Sequence, residues 1–260
     1  MAEYPALTVT FLGTGTSTGV PTIACTCVTC LSDDERDKRL RPSIMIQSAT
    51  TTIVVDTTPD FRQQMLRTRT TDLSAILYTH HHIDHIAGFD DIRCFNFKQS
   101  APMPLYLMQE TFDHLKRSFL YAFGYATQIG GGIPQTEVHI ITHESFMIGD
   151  IQVQPIPMMH GNLAVMGFRF GPVAYCTDTN YIPPDSLDRL RGVDILILDA
   201  LRHEPHPTHF NVTEACTIAD ELCPRITYFT HIAHNLKHSE TEAMLPAHIR
   251  LSYDGLIVHT

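Results

Sequence analysis

Six consecutive residues, His80 to His85, restrict what this chain can become more than any other stretch. They hold three ligand-type imidazoles, His80, His82 and His85, and one ligand-type carboxylate, Asp84. Ahead of them Ala75-Ile76-Leu77-Tyr78 is a short apolar run with β-type side chains, and after them Ile86-Ala87-Gly88-Phe89 reads as the start of a helix. The motif is thus expected at the end of a strand, where a rigid backbone aims the first ligand and the following turn lets alternate side chains converge. Imidazole and carboxylate oxygen suit zinc, manganese or iron, and tight spacing lowers the entropic cost of chelation. The plain alternative is a solvated turn, since 16 His in 260 residues guarantee some clustering. Ligand-type residues rarely bunch this densely without a site.

The pattern His80-x-His82-x-Asp84-His85 resembles the signature of the metallo-β-lactamase superfamily. That resemblance implies an α/β (α+β) chain folded as a four-layer αββα sandwich. It also implies three later ligands in the order His, Asp, His, each near a strand's end. The second half of the chain offers them. Ile151 to Pro157 alternates as a strand and leads to His160; Val173 to Cys176 leads to Asp178; Asp194 to Leu198 is a further strand; Ile226 to Phe229 leads to His231. Carried over, the resemblance implies that His80, His82 and His160 hold one divalent ion and Asp84, His85 and His231 a second, with Asp178 bridging. Two such ions, zinc or manganese, would bring a water's pKa toward neutrality and act as Lewis acids, which is hydrolytic chemistry.

Cysteine usage adds a second site. Seven Cys is an odd number for a disulfide framework, and only Cys25-Thr26-Cys27-Val28-Thr29-Cys30 is clustered. In a reducing compartment a CxCxxC group favours metal over a bridge, but three thiolates leave a tetrahedral zinc one ligand short. His234 stands three residues after His231. The combination resembles the phosphoribosyl 1,2-cyclic phosphate phosphodiesterase family of phosphonate degradation. That likeness implies a structural zinc on Cys25, Cys27, Cys30 and His234. It also implies a His over the metals that contacts the scissile phosphate: His209, just before the expected helix Val212 to Leu222, matches best, and His206 is the rival. Asp84 and His209 are then the catalytic pair, Asp84 orienting the nucleophile and His209 protonating the leaving oxygen of a small cyclic phosphate ester.

Size and charge narrow the field. The length allows one domain, 1–260, and 43% apolar with 18% charged residues describes an ordinary globule. A formal charge of -10 without any Lys/Arg run disfavours a nucleic-acid partner, and so the transfer-RNA 3′-end nucleases of the same fold. Thioester or lactone hydrolysis, and a non-catalytic metal-containing binding module, are also compatible with the motif. The apolar stretch Leu7 to Leu12 lacks the length and basic flank of a signal peptide, and no segment approaches the roughly 18 apolar residues of a membrane helix, so a cytoplasmic protein is expected. Homodimerisation is left open.

Elsewhere the alternating Leu7 to Leu12 opens the chain as a strand, Ser43 to Gln47 and Thr52 to Val55 form a hairpin-like pair, and Pro59 suits the first turn of a helix Phe61 to Arg67. Asp56, at a strand's end like His80, is either a helix cap or the carboxylate that orients a metal-bound His. Glu110 to Tyr121 reads as a helix with Phe112, Leu115, Phe119 and Leu120 on its buried side. The Gly-rich segment 124–134 carries no lysine and is no phosphate-cradling loop; it reads as a mobile loop, either a linker between the two halves or a lid over the site, the linker being favoured. The wider region Met108 to Phe146 matches no motif.

Overall fold

The computed structural model describes residues 4–124 and 132–260. Six strands arise in succession, β1 (Thr8–Gly13), β2 (Ser43–Gln47), β3 (Thr52–Val55), β4 (Ala75–Leu77), β5 (Met103–Leu107) and β6 (Thr136–Ile140). Seven more follow: β7 (Phe146–Ile148), β8 (Ile151–His160), β9 (Leu163–Phe170), β10 (Val173–Cys176), β11 (Ile195–Asp199), β12 (Ile226–Thr230) and β13 (Ile249–Leu251). The last, β14 (Ile257–His259), returns to the first sheet beside β1. The two seven-stranded sheets run β14-β1-β2-β3-β4-β5-β6 and β13-β12-β11-β10-β9-β8-β7.

The period-two side-chain pattern explains the layering. Along β3, Ile53 and Val55 face the second sheet while Val54 faces outward; along β11, Ile195 and Ile197 face inward while Leu196 and Leu198 face outward. Every one of these is buried, because helices cover both outer faces. The inner cluster joins Phe11, Ile44 and Leu77 to Phe168, Phe170 and Tyr175. On one outer side Val54 and Ile76 meet Phe61, Met65 and Leu115 from helices; on the other Leu196 and Leu198 meet Ala215, Ala219 and Leu222. The expected αββα sandwich is what the chain forms.

Strand direction decides where chemistry can gather. Strands β3 to β6 are parallel, as are β10 to β13. Their C-terminal ends open along one edge of the sandwich, the place where parallel sheets receive ligands. The residues just past β3, β10 and β12 take left-handed backbone conformations, Asp56 (φ 66°), Asp178 (φ 54°) and His231 (φ 59°). Such turns cost a non-glycine residue about 1 kcal/mol or more and cluster at functional sites.

Several boundaries differ from the sequence reading. The helix after the motif begins inside it, at Ile83, and runs to Ile86 before a 3₁₀ stretch Ala87–Ile92; Asp84 and His85 sit in its first turn. Pro59 lies outside the helix Phe61–Thr68, whose N-cap is Asp60. The helix expected over Glu110 to Tyr121 is Gln109–Ser118, broken at Phe119 before a short turn Leu120–Phe123. Leu115 is buried there, but Leu120 is exposed, since the break rotates it off the apolar face. Most of the Gly-rich segment 124–134 lies outside the described residues. Among the described residues no helix is long and apolar enough to cross a membrane.

Candidate metal centre

Two groups of ligand-type side chains form at that edge. His80, His82 and His160 bring their ligand atoms within 4.8 Å of one another, and so do Asp84, His85, Asp178 and His231. His80 follows β4, His160 ends β8 of the other sheet, and their rings lie 5.8 Å apart; His82 sits 4.5 Å from His80 and 5.2 Å from His160. In the second group the Asp178 carboxylate stands between two rings stacked 6.4 Å apart, with Oδ2 3.3 Å from His85 Nε2 and Oδ1 3.1 Å from His231 Nε2. Asp178 also falls within ligand distance of His160 and His209, so it adjoins both groups.

Donor chemistry tests whether cations fit here. His80 Nε2, His85 Nε2 and both His231 nitrogens are buried without a hydrogen-bond partner. Orphaned polar atoms in an interior cost about 1–3 kcal/mol each unless something satisfies them. Burial holds the imidazoles of His80, His82 and His160 below their ordinary pKa, which is the neutral, ligand-ready form. Burial works the same way on His85, yet the carboxylates of Asp178, Asp84 and Asp56 outweigh it and raise His85 well above the usual imidazole range. Burial likewise pushes Asp178 upward, and the rings of His231 and His85 overcome it, holding the carboxyl ionised. Carboxylates gathered on one buried imidazole are the surroundings a dication would also satisfy. These residues fit divalent metal.

Around them stands a ring of orienting contacts. Asp56 accepts the Thr79 amide (2.9 Å) and hydroxyl (2.8 Å), and its Oδ2 takes the His85 Nδ1 at 2.7 Å. It caps no helix, so its second reading holds: it fixes the His85 ring and turns Nε2 to the centre. His160 Nδ1 lies 2.7 Å from the Thr208 carbonyl, which does the same for that ring. Asp199, at the end of β11, accepts the Thr179 amide (2.8 Å) and faces His209 Nδ1 at 2.7 Å. Nothing in the sequence singled out Asp199. The signal that could have found it is the one Asp56 shows, a carboxylate at a buried strand's C-terminal end.

His209 is buried, 4.5 Å in ring distance from both His160 and His231, whereas its rival His206 is more exposed, with its ring 5.1 Å from that of His209. With Nδ1 committed to Asp199, His209 Nε2 is the nitrogen left for a ligand or substrate. Burial lowers its pKa.

The cysteine cluster and His234 also come together, 209 residues apart in sequence. Sγ of Cys25, Cys27 and Cys30 lie 3.2, 3.4 and 3.6 Å from His234 Nδ1. In a tetrahedron with Zn–S of about 2.3 Å and Zn–N of about 2.1 Å the S–N edge is roughly 3.6 Å. The spacing therefore suits one zinc ion. The Cys30 amide on Cys27 Sγ lowers that thiol's pKa to about 6, while burial raises Cys30 to about 11. His234 stands three positions after His231, so this cluster ties the loop that carries His231 to the N-terminal segment. A β-bridge from Gly15 to Ile232 reinforces it.

Proteins of known structure share this architecture. A crystal structure described as a new diphosphatase from the PhnP family shares 46% sequence identity, with a TM-score of 0.92 over 98% of this chain and 97% of that one. Zinc-bound PqqB from Methylobacterium extorquens, at 17% identity and a TM-score of 0.76 over 96% of this chain and 99% of that one, shares the fold. A curated relative named octanoyltransferase, from Porphyromonas gingivalis, is 33% identical over 248 residues. That match takes in 94% of this chain, which spans about half the length of the relative. A model of the β-lactamase superfamily domain matches residues 51–232, the span that runs from Thr51 through His80 and Asp178 to just past His231. The chain belongs to the metallo-β-lactamase superfamily, and within it is PhnP-like.

Proposed function

We propose that this protein is a metal-dependent phosphodiesterase acting on a small, cyclic phosphate ester. One observation carries the reading: seven ligand-type side chains from both sheets converge around buried nitrogens that have no other partner. His80, His82 and His160 would hold one divalent ion, Asp84, His85 and His231 a second, and Asp178 lies between. When bound, such ions supply Lewis-acid polarisation of phosphoryl oxygens and a water acidified toward neutral pH. The chain's own groups do the rest. Asp84, 3.4 Å from His85 Nε2 and still partly exposed, accepts a hydrogen bond from the attacking water and aims it. Asp199 holds the proton of His209 on Nδ1 in the neutral ring and stabilises the charged ring. From Nε2 the imidazolium gives its proton to the departing alkoxide, a contribution of typically 10²–10⁴-fold. Cys25, Cys27, Cys30 and His234 would hold a structural zinc that fixes the His231 loop.

The diphosphatase relative supports phosphoryl chemistry while pointing to a P–O–P bond in that protein. A second reading, thioester hydrolysis, takes its support from the octanoyltransferase name of the longer relative. After reconstitution with manganese or zinc, turnover of bis(p-nitrophenyl) phosphate and a ribose cyclic phosphate, with none of an octanoyl thioester, is the expected result. Thioester turnover without phosphodiester turnover would reverse the assignment, and cleavage of diphosphates alone would move the scissile bond.

A further inference from the structure

One imidazole of the motif belongs to neither cluster. His81 meets His114 on the helix Gln109–Ser118, with ring centroids 3.7 Å apart and planes 10° from parallel. Glu110 precedes His114 by four residues on that helix, so both project from one face. The ligand atoms of His81, Glu110 and His114 all lie within 4.8 Å of one another. The two rings are half-buried and Glu110 is exposed, so solvent ions reach them.

We propose that His81, Glu110 and His114 form an additional binding site for a divalent transition metal beside the centre already described. Two imidazoles and a carboxylate are borderline donors that select zinc, cobalt or nickel over magnesium or calcium. Three protein ligands leave coordination positions to water, so binding is reversible, in contrast to the closed Cys₃His set. Lone pairs lie in the ring planes, and the stacked rings must each turn about χ2 to converge on an ion; that terminal torsion is broad and soft. A mere van der Waals stack of two surface rings would need no carboxylate beside it. An ion here would fasten the helix Gln109–Ser118, which follows β5, to the backbone between His80 and His82.

The experiment is a cobalt titration of desalted protein, followed by calorimetry and visible absorption, in the wild type, His114→Ala and Glu110→Gln. Wild type is expected to take up one more equivalent per chain than His114→Ala, with Glu110→Gln weakening that equivalent at least about tenfold and all three proteins retaining the same number of tightly held ions. Equal uptake with equal affinity in the three proteins overturns the proposal. So does a loss of tightly held ions in His114→Ala, which would assign His114 to another site. The difference between proteins is read without substrate, so its outcome is separate from that of the phosphodiesterase assay.

Discussion

At the scale of single residues, the centre is built by pairing each reactive group with a buried orienting partner. His209 illustrates it: its Nδ1 rests 2.7 Å from Asp199, which is itself fully buried. His209→Ala is therefore expected to lower kcat on bis(p-nitrophenyl) phosphate by about 10²–10⁴-fold with metal content unchanged, measured by steady-state kinetics alongside elemental analysis. Asp199→Asn keeps the shape but cannot stabilise an imidazolium, so a smaller fall in kcat with little change in KM is expected from the same assay. A metal content that fell with either substitution would assign the residue to ligation instead. The candidate ligands were legible because residue type and strand-end position coincide in His80, His160, Asp178 and His231. Asp199 was not, since a lone carboxylate after an apolar run reads equally as a cap, and only the fold brings His209 beside it.

At the scale of elements, the motif's helix starts within the turn that carries the candidate ligands and packs against the loop after β3. Gly88 is where that packing is tightest: a Cβ there would lie 2.2 Å from the Thr58 carbonyl and 2.6 Å from Phe61 Cβ, and the Gly88 amide already donates to Thr57 at 2.9 Å. Neither backbone can yield without moving Asp56 or the ligand turn. Gly88→Ala is expected to destabilise by about 2 kcal/mol or more and to loosen metal retention, read by thermal melts and metal content after dialysis. Of the strands read from the sequence all but β8, which runs on to His160, lie within a residue of their expected bounds, β2, β3 and β10 among them, because alternation of β-branched and apolar side chains is a strong signal; β5, β6, β7, β9, β13 and β14 were not read. The start of the motif helix was displaced by three residues. Its first turn consists of ligands rather than apolar residues, so periodicity could not mark it.

At the scale of the whole molecule, two long-range ties hold the first strand's loop to the C-terminal ligand loop. One is the Cys25-Cys27-Cys30-His234 group. Wild type is expected to retain about three ions per chain after desalting and His234→Ala about two, with a lower melting temperature, because a structural zinc contributes binding free energy to folding; equal counts by elemental analysis would remove the structural zinc. The other tie is polar: buried Arg39 donates to the Ser252 carbonyl (2.7 Å), Thr14 (2.8 Å) and His238 Nδ1 (3.0 Å). Burial, aided by the Arg39 charge, pushes the His238 pKa down to about 4. Between that value and the ordinary 6.5 the unfolded chain binds more protons than the folded one, so stability from neutral His238 is complete above pH 6.5 and declines as pH falls toward 4. The decline amounts to up to about 3 kcal/mol. His238→Gln should flatten the melting temperature across that window relative to wild type, and parallel curves for the two proteins would discount the linkage.

Alternation of apolar side chains by itself marked the strands and their ends, and the spacing of His80, His82, Asp84 and His85 marked candidate metal donors, because those properties depend on neighbours within a few residues; the layered α/β class came from what the family resemblance implies. Which ring each carboxylate orients, and that His81 meets His114, were decided only when strands distant in sequence became parallel neighbours. Those pairings depend on sheet order and on left-handed turns after β3, β10 and β12, neither of which leaves a local trace in the chain.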